Sequence, residues 1–109
     1  MRGALLPLIF LSACSSSDAE LAALKSAHSI VAEWAAVARL EAAGRVNATY
    51  ARGMAADARS QLASERAAFR DPGDAAARLI DGLGETPDAA QLTVVAAALG
   101  RMEGARENR

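Results

Sequence analysis

Three kinds of side chain in this sequence have the chemistry for a functional site: a single cysteine, a single histidine and a row of arginines. Cys14 and His28 are each the only residue of their type among the 109 residues. A cysteine thiolate is a nucleophile that can accept a transferred group. A zinc-type site needs three or four ligands, and the sequence offers no second histidine and no second cysteine. His28 is therefore interpreted as a packed or partly exposed helix residue, not as a metal ligand or a pH switch.

The residues before Cys14 follow the order of an export signal. A basic start at Arg2 is followed by an apolar run over residues 4–11 and then by the small residues Ser12 and Ala13. A basic region, an apolar region and a small-residue cleavage site in this order are typical of a secretory signal peptide. The run is too short to cross a membrane, which takes about 20 apolar residues.

Leu11, Ser12, Ala13 and Cys14 resemble the lipobox of bacterial lipoproteins, in which an aliphatic residue and two small residues precede an invariant cysteine. The resemblance covers residues 1–14 only. It implies that the signal peptidase recognises Leu11, Ser12 and Ala13 and removes residues 1–13. It also implies a diacylglyceryl group on the sulfur of Cys14, and this covalent lipid is the only cofactor that we expect.

Lipidation accounts for two further features of the sequence. An odd cysteine in an exported protein needs an explanation, and a lipidated Cys14 supplies one. Each buried CH2 contributes about 0.8 kcal/mol, so that one acyl chain binds a membrane marginally and two or more bind it stably. The alternative interpretation is a cytosolic protein in which Cys14 is a small core residue.

The residues after the cysteine bear on where a lipoprotein would be retained. In the enterobacterial lipoprotein class, an aspartate directly after the cysteine signals retention in the inner membrane. Here Ser15 and Ser16 follow Cys14, and Asp18 lies too far along the chain. We therefore expect anchoring on the periplasmic face of the outer membrane, with residues 14–17 as a short tether.

The composition predicts an all-α fold. Alanine is the commonest residue and has the highest helix propensity, whereas aromatic residues make up 4% of the chain. The only run of β-branched residues, 93–95, is flanked by alanines, and no strand is predicted. Removal of Arg2 with the leader changes the net charge from −1 to −2, which argues against nucleic acid as a partner.

Capping signals divide the mature chain into four predicted helices. Ser17 and Glu20 read as a capping box, Gly44 as a C-cap and Asn47 as an N-cap. Asp71-Pro72 and Thr86-Pro87 read as the starts of two shorter helices. The prediction is a helical domain over residues 18–104 with a polar tail over 105–109. The domain consists of a long antiparallel hairpin and two shorter C-terminal helices, at about 18–43, 48–69, 72–83 and 87–103.

The first predicted helix has an unusually broad apolar face. One stripe runs from Leu21 to Ala42 at alternating spacings of three and four, and a second stripe contains Ile30, Trp34 and Val37. The second helix offers mostly alanine in return, and the two shorter helices can cover part of the remainder. Any part that is left open near Trp34 is expected to be buried by a second copy or a partner. Trp34, Ile30 and Val37 are therefore a candidate interface with a second copy or an envelope protein, although core packing is the default for Trp34.

Arg45, Arg52, Arg59 and Arg66 recur every seven residues and form a shallow diagonal stripe on a straight helix. The stripe is a candidate contact for anionic lipid headgroups or a cell-wall polymer. The simpler interpretation is a solvated helix edge whose arginines pair with Glu33 or Glu41 across the hairpin.

The sequence favours a non-enzymatic structural or accessory binding role at the envelope. No serine lies in a Gly-rich strand-to-helix turn, and the carboxylates are spread along helix surfaces beside basic residues. A tethered component of an envelope-spanning helical complex, similar to spanin lipoproteins of phages, is one alternative. The breaks at Pro72 and Pro87 favour a compact bundle over such a rod. A small hydrolase or metal enzyme is the other alternative, disfavoured because no site is evident.

Overall fold

The computed structural model describes the backbone of residues 2–108 and the side chains of residues 17–108. This part of the chain contains four α-helices and no strand, which confirms the all-α prediction. The helices are α1 (Arg2–Ala42), α2 (Ala48–Arg66), α3 (Ala75–Asp81) and α4 (Ala89–Glu107).

The two ends of the hairpin turn are built as the sequence predicts. Gly44 adopts a left-handed φ of 72°, and the backbone N–H groups of Gly44 and Arg45 donate to the carbonyls of Glu41 and Leu40. These two bonds satisfy carbonyls at the end of α1 in a Schellman motif. The Asn47 side chain accepts from the Tyr50 N–H at 2.7 Å and caps the start of α2.

At the other helix ends, the observed bounds differ from the approximate predicted ones in three places. α1 continues through Ser17 from Arg2, so that Ser17 lies inside the helix and does not cap it. α2 ends at Arg66, before Phe69. α4 continues to Glu107 through most of the predicted polar tail, because charged side chains of its last turns make the contacts with α1 and α3 described below.

The start of α3 is also corrected. The N-cap is Asp74, whose Oδ1 accepts from the Ala76 N–H at 2.9 Å, and not Asp71 followed by Pro72. Asp71 instead accepts from the Gly73 N–H at 2.8 Å, which closes a turn on its own side chain. α4 is capped by Asp88 two residues after Thr86, through a 2.8 Å bond from the Gln91 N–H.

α1 is the central helix of the bundle, with α2 and α4 both packed against it. The short hairpin turn makes α2 antiparallel to α1. α4 is antiparallel to α1 as well, because Arg39 bonds Thr93 near one end and Lys25 meets Glu107 near the other. The shorter α3 contacts α2 and α4 and closes the remaining side of the core.

Both apolar stripes of α1 face the core, which confirms its broad core-facing surface. Their central residues are buried, Leu21, Ile30 and Val37 are half-buried, and Ala42 is exposed. The stripes meet alanines and one leucine of α2, the turn residue Phe69 and the inner faces of α3 and α4. The largest fully buried side chains are Leu24, Val31, Leu92 and Leu99. Tyr50, in the first turn of α2, is 58% exposed because α2 begins beyond the end of the core.

Gly53, although it lies within α2, is not a point of close approach between the two hairpin helices. A Cβ atom placed on Gly53 would meet nothing within 4 Å. The close approach is made by Ala51 and Ala58, which lie on the buried face of α2.

Among the residues that the structure describes, no helix combines the length and the apolar content needed to cross a bilayer.

Candidate functional site

The lipobox residues Leu11, Ser12, Ala13 and Cys14 lie outside the described side chains. From Ser17 to Ala42, α1 covers about 38 Å at about 1.5 Å per residue. The hairpin turn is therefore at the opposite end of the bundle from the predicted tether.

The candidate interface around Trp34 is not an open face. Trp34 is 5% exposed and belongs to the core cluster, whereas Ile30 and Val37 are half-buried. Trp34 therefore packs in the core, which is the default predicted for it, because α4 as well as α2 packs against α1.

The arginine row divides into two pairs. Arg66 makes two bonds to the Asp81 carboxylate, at 2.9 and 3.1 Å, and Arg59 donates to the backbone carbonyl of Glu85 at 2.9 Å. These two arginines tie α2 to α3 and to the segment after it. Arg45 and Arg52 are exposed near the hairpin turn.

The predicted ion-pair partners of this row are wrong for Arg66, which pairs with Asp81 and not with Glu33 or Glu41. The hydrogen bonds that Arg66 donates to the Asp81 side chain raise the pKa of Arg66, and partial burial opposes this shift. Arg66 therefore stays charged throughout the physiological pH range.

His28 lies between α1 and α4, as a partly exposed residue of the helix interface. Its Nδ1 atom is 2.9 Å from Oε1 of Glu103, and its ring lies against Gly100. Within the described residues, no group of three histidine, cysteine or acidic side chains is placed to hold a metal ion.

A second charged cluster, around Arg106, has no counterpart in the sequence prediction. Nη2 of Arg106 is 2.7 Å from Oδ2 of Asp74, and the guanidinium lies 5.8 Å from the centroid of the Phe69 ring. Local spacing favours an ion pair of Asp74 with Arg78, one helical turn away. Asp74 instead pairs with a residue 32 positions along the chain, and sequence spacing carries no signal for such a contact.

One concave feature of the described surface is a groove beside α2 and the segment 82–88. It consists of two adjoining cavities of about 310 and 370 Å³, which share Trp34 and Arg59 as lining residues. We call this feature the Trp34 groove. Its first cavity is also lined by Val37, Ala38, Glu41, Ala51, Arg52, Ala55, Glu85, Thr86 and Pro87, and its second by Leu62, Ala63, Arg66, Ile80, Asp81, Leu83 and Gly84.

Comparisons with protein-family models, with curated proteins and with solved structures find no match to this chain.

Proposed function

We propose that the chain is a bacterial lipoprotein, anchored by lipid on Cys14 and serving a non-enzymatic structural or accessory binding role at the cell envelope. The observation that carries this proposal is the order of Leu11, Ser12, Ala13 and Cys14 directly after a short basic and apolar leader. The motif has its residue types at all four positions, and the order of the regions before it is that of an export signal.

Two features of the domain fit such a role. Three residues separate Cys14 from Asp18, the first residue of the predicted domain, so that an anchored domain would lie close to the membrane surface. The hairpin turn would then point away from the membrane, with Arg45 and Arg52 exposed near it. A binding role is accordingly assigned to the distal part of the bundle.

Cys14→Ser tests the anchor directly. In bacteria grown with radiolabelled palmitate, we expect the wild-type chain to retain label after denaturation and organic extraction, and Cys14→Ser to retain none. Ser16→Ala is the matched control, because it changes a nearby serine outside the motif and is expected to keep the label. Equal label on the Cys14→Ser chain would refute the lipoprotein assignment.

A second experiment tests whether the inner or the outer membrane retains the protein. Because Ser15 and not aspartate follows Cys14, the wild-type chain is expected to fractionate with outer-membrane markers. Ser15→Asp is expected to move it to the inner-membrane fraction in a host that uses the aspartate rule. Wild-type protein in the inner-membrane fraction would contradict the outer-membrane proposal and leave the lipid anchor standing.

A further inference from the structure

The Trp34 groove has an apolar floor. The side chains buried beneath it include Trp34, Ala51, Leu62, Ile80 and Leu83. No polar or charged side chain is buried in the described part of the chain. Each of the two cavities has a volume near the lower end of the range of about 300–1,000 Å³ that is usual for small-molecule pockets.

Charged side chains of both signs line the groove: Arg52, Arg59 and Arg66 on α2, and Glu41, Asp81 and Glu85 on the other elements. Arg59 is the one charged side chain that lines both cavities, and its described hydrogen bond goes to a neutral backbone carbonyl. Arg52 lies one heptad away in the first cavity. Among the described residues, neither Arg52 nor Arg59 forms a salt bridge, whereas Arg66 is paired with Asp81. Glu41 and Glu85 lie on the facing walls of the first cavity only.

The apolar floor favours an alkyl chain over a peptide. An extended peptide would bring an N–H and a C=O with every residue, and the floor has no buried polar side chain to pair with them. Polar groups left unpaired on burial cost free energy. An alkyl chain brings no such groups, and an unbranched chain suits a floor that α2 lines mainly with alanine.

We infer that the Trp34 groove binds a long-chain fatty acid, with the alkyl chain on the floor and the carboxylate at Arg59. Arg59 offers a charge-assisted hydrogen bond to the carboxylate, which is stronger than its bond to the neutral Glu85 carbonyl. Arg52 adds a second positive charge on the same side of the groove. This site does not depend on the lipid anchor, because it is built entirely from residues 34–87.

Trp34 provides a local optical probe, because it is the only tryptophan and lies under both cavities. The full chain carrying Cys14→Ser, which has no thiol to lipidate, is titrated with a dibrominated stearic acid, and tryptophan quenching is recorded. We expect saturable quenching that unlabelled oleate reverses. The methyl ester of the same brominated acid is expected to bind about tenfold more weakly, because it lacks the charge that Arg59 recognises.

Arg59→Gln is expected to weaken binding of the acid by about tenfold and to leave the affinity of the ester nearly unchanged. Arg45→Gln removes an exposed arginine from the hairpin turn, outside the groove, and is expected to leave both affinities unchanged. Far-UV circular dichroism of each variant checks that the bundle is intact. Comparing the affinities of the acid and its methyl ester for the chain that keeps Arg59 tests the role of the ligand's charge without a substitution in the groove.

Two results would overturn the inference. One is the absence of saturable quenching up to the solubility limit of the acid. The other is quenching by the acid, the ester and an alkylammonium of equal length with similar affinities, which would indicate unspecific partition onto apolar surface. Neither result bears on the Cys14 anchor, since the titrated chain has serine at that position.

Discussion

His28 and Gly100 show how one contact between two helices depends on the absence of a single methyl group. A Cβ atom on Gly100 would lie 3.0 Å from Nε2 and 3.1 Å from Cε1 of the His28 ring. The ring is held on its other side by the 2.9 Å contact between Nδ1 and Glu103. Gly100 therefore lets the imidazole lie flat against α4, at the usual helix-propensity cost of a glycine.

Gly100→Ala is expected to stabilise the domain less than a glycine-to-alanine change in a helix normally does, or to destabilise it. Helix propensity favours alanine by up to about 1 kcal/mol, and displacement of the His28 ring offsets this gain. Gly53→Ala is the matched control, because nothing lies within 4 Å of the added methyl group. The free energy of unfolding in urea measures both effects.

A double-mutant cycle tests whether contact with the His28 ring causes the reduced gain from Gly100→Ala. In a His28→Ala background, Gly100→Ala is expected to recover the gain that Gly53→Ala shows, because the ring is no longer there to be displaced. Equal gains from Gly100→Ala and Gly53→Ala in the wild-type background would contradict the close contact between His28 and Gly100.

At the scale of elements, the turn between α2 and α3 is organised by both carboxylate oxygens of Asp74. Oδ1 caps α3 through the Ala76 N–H, and Oδ2 meets Arg106 in the last turns of α4. Phe69, directly after α2, lies under the same guanidinium. One side chain thus fixes the start of α3 and holds the end of α4 against it.

Asp74→Ala is expected to cost about 1–3 kcal/mol of stability, since it removes a helix cap and leaves Arg106 without this carboxylate. Asp74→Asn keeps a good capping side chain and loses the charge, so that its cost is expected to be smaller, about 1 kcal/mol or less. Asp71→Ala removes only the bond to the Gly73 N–H and is expected to change stability by less than about 0.5 kcal/mol.

Urea denaturation ranks these three variants. If Asp71→Ala costs more than Asp74→Ala, the cap of α3 lies at Asp71, as the local sequence pattern alone suggests. A cost for Asp74→Asn equal to that for Asp74→Ala would assign the whole effect to the ion pair with Arg106.

The comparison of these elements with their sequence signals shows where local reasoning succeeds. Gly44 and Asn47 flank a short turn with no competing signal, and both act as predicted. Between α2 and α3, aspartates stand at both 71 and 74, and each is a plausible cap. The choice of Asp74 coincides with its bond to Arg106, which local capping rules cannot reveal.

At the scale of the whole molecule, the exposed large apolar side chains are spread over different helices. In the described part of the chain they are Leu40 on α1, Tyr50 on α2 and Val94 on α4. Single exposed apolar residues are normal on protein surfaces and do not by themselves define an interface. They therefore add no second candidate surface to the Trp34 groove.

The overall architecture followed from periodicity and composition, whereas the candidate groove did not. The broad apolar face of α1 predicted correctly that several helices would pack on it. No open apolar face remains at Trp34, which is buried where α2 and α4 pack on α1, and Arg59 donates to the Glu85 carbonyl beside the groove. Local sequence spacing does not predict a groove whose residues lie about 25 to 50 positions apart.

The position of the core within the chain predicts that the mature form folds without the leader. The core cluster runs from Ala23 to Leu99, and its four largest fully buried side chains all lie in that range. A chain that starts at Ser15 keeps every one of these residues. We therefore expect it to be folded, with a cooperative thermal transition and a mean residue ellipticity typical of a helical bundle.

Leu99→Ala in this shortened chain is the matched test of the core. Leu99 is fully buried, and truncation of a buried leucine costs about 2–5 kcal/mol. Small single domains have a total free energy of unfolding of about 5–15 kcal/mol. The midpoint temperature of the thermal transition is therefore expected to fall well below that of the unsubstituted shortened chain. If the chain that starts at Ser15 lacks a cooperative transition, residues 1–14 are required for folding, and the domain is not independent of its leader. If Leu99→Ala leaves the transition unchanged, Leu99 is not part of a packed core.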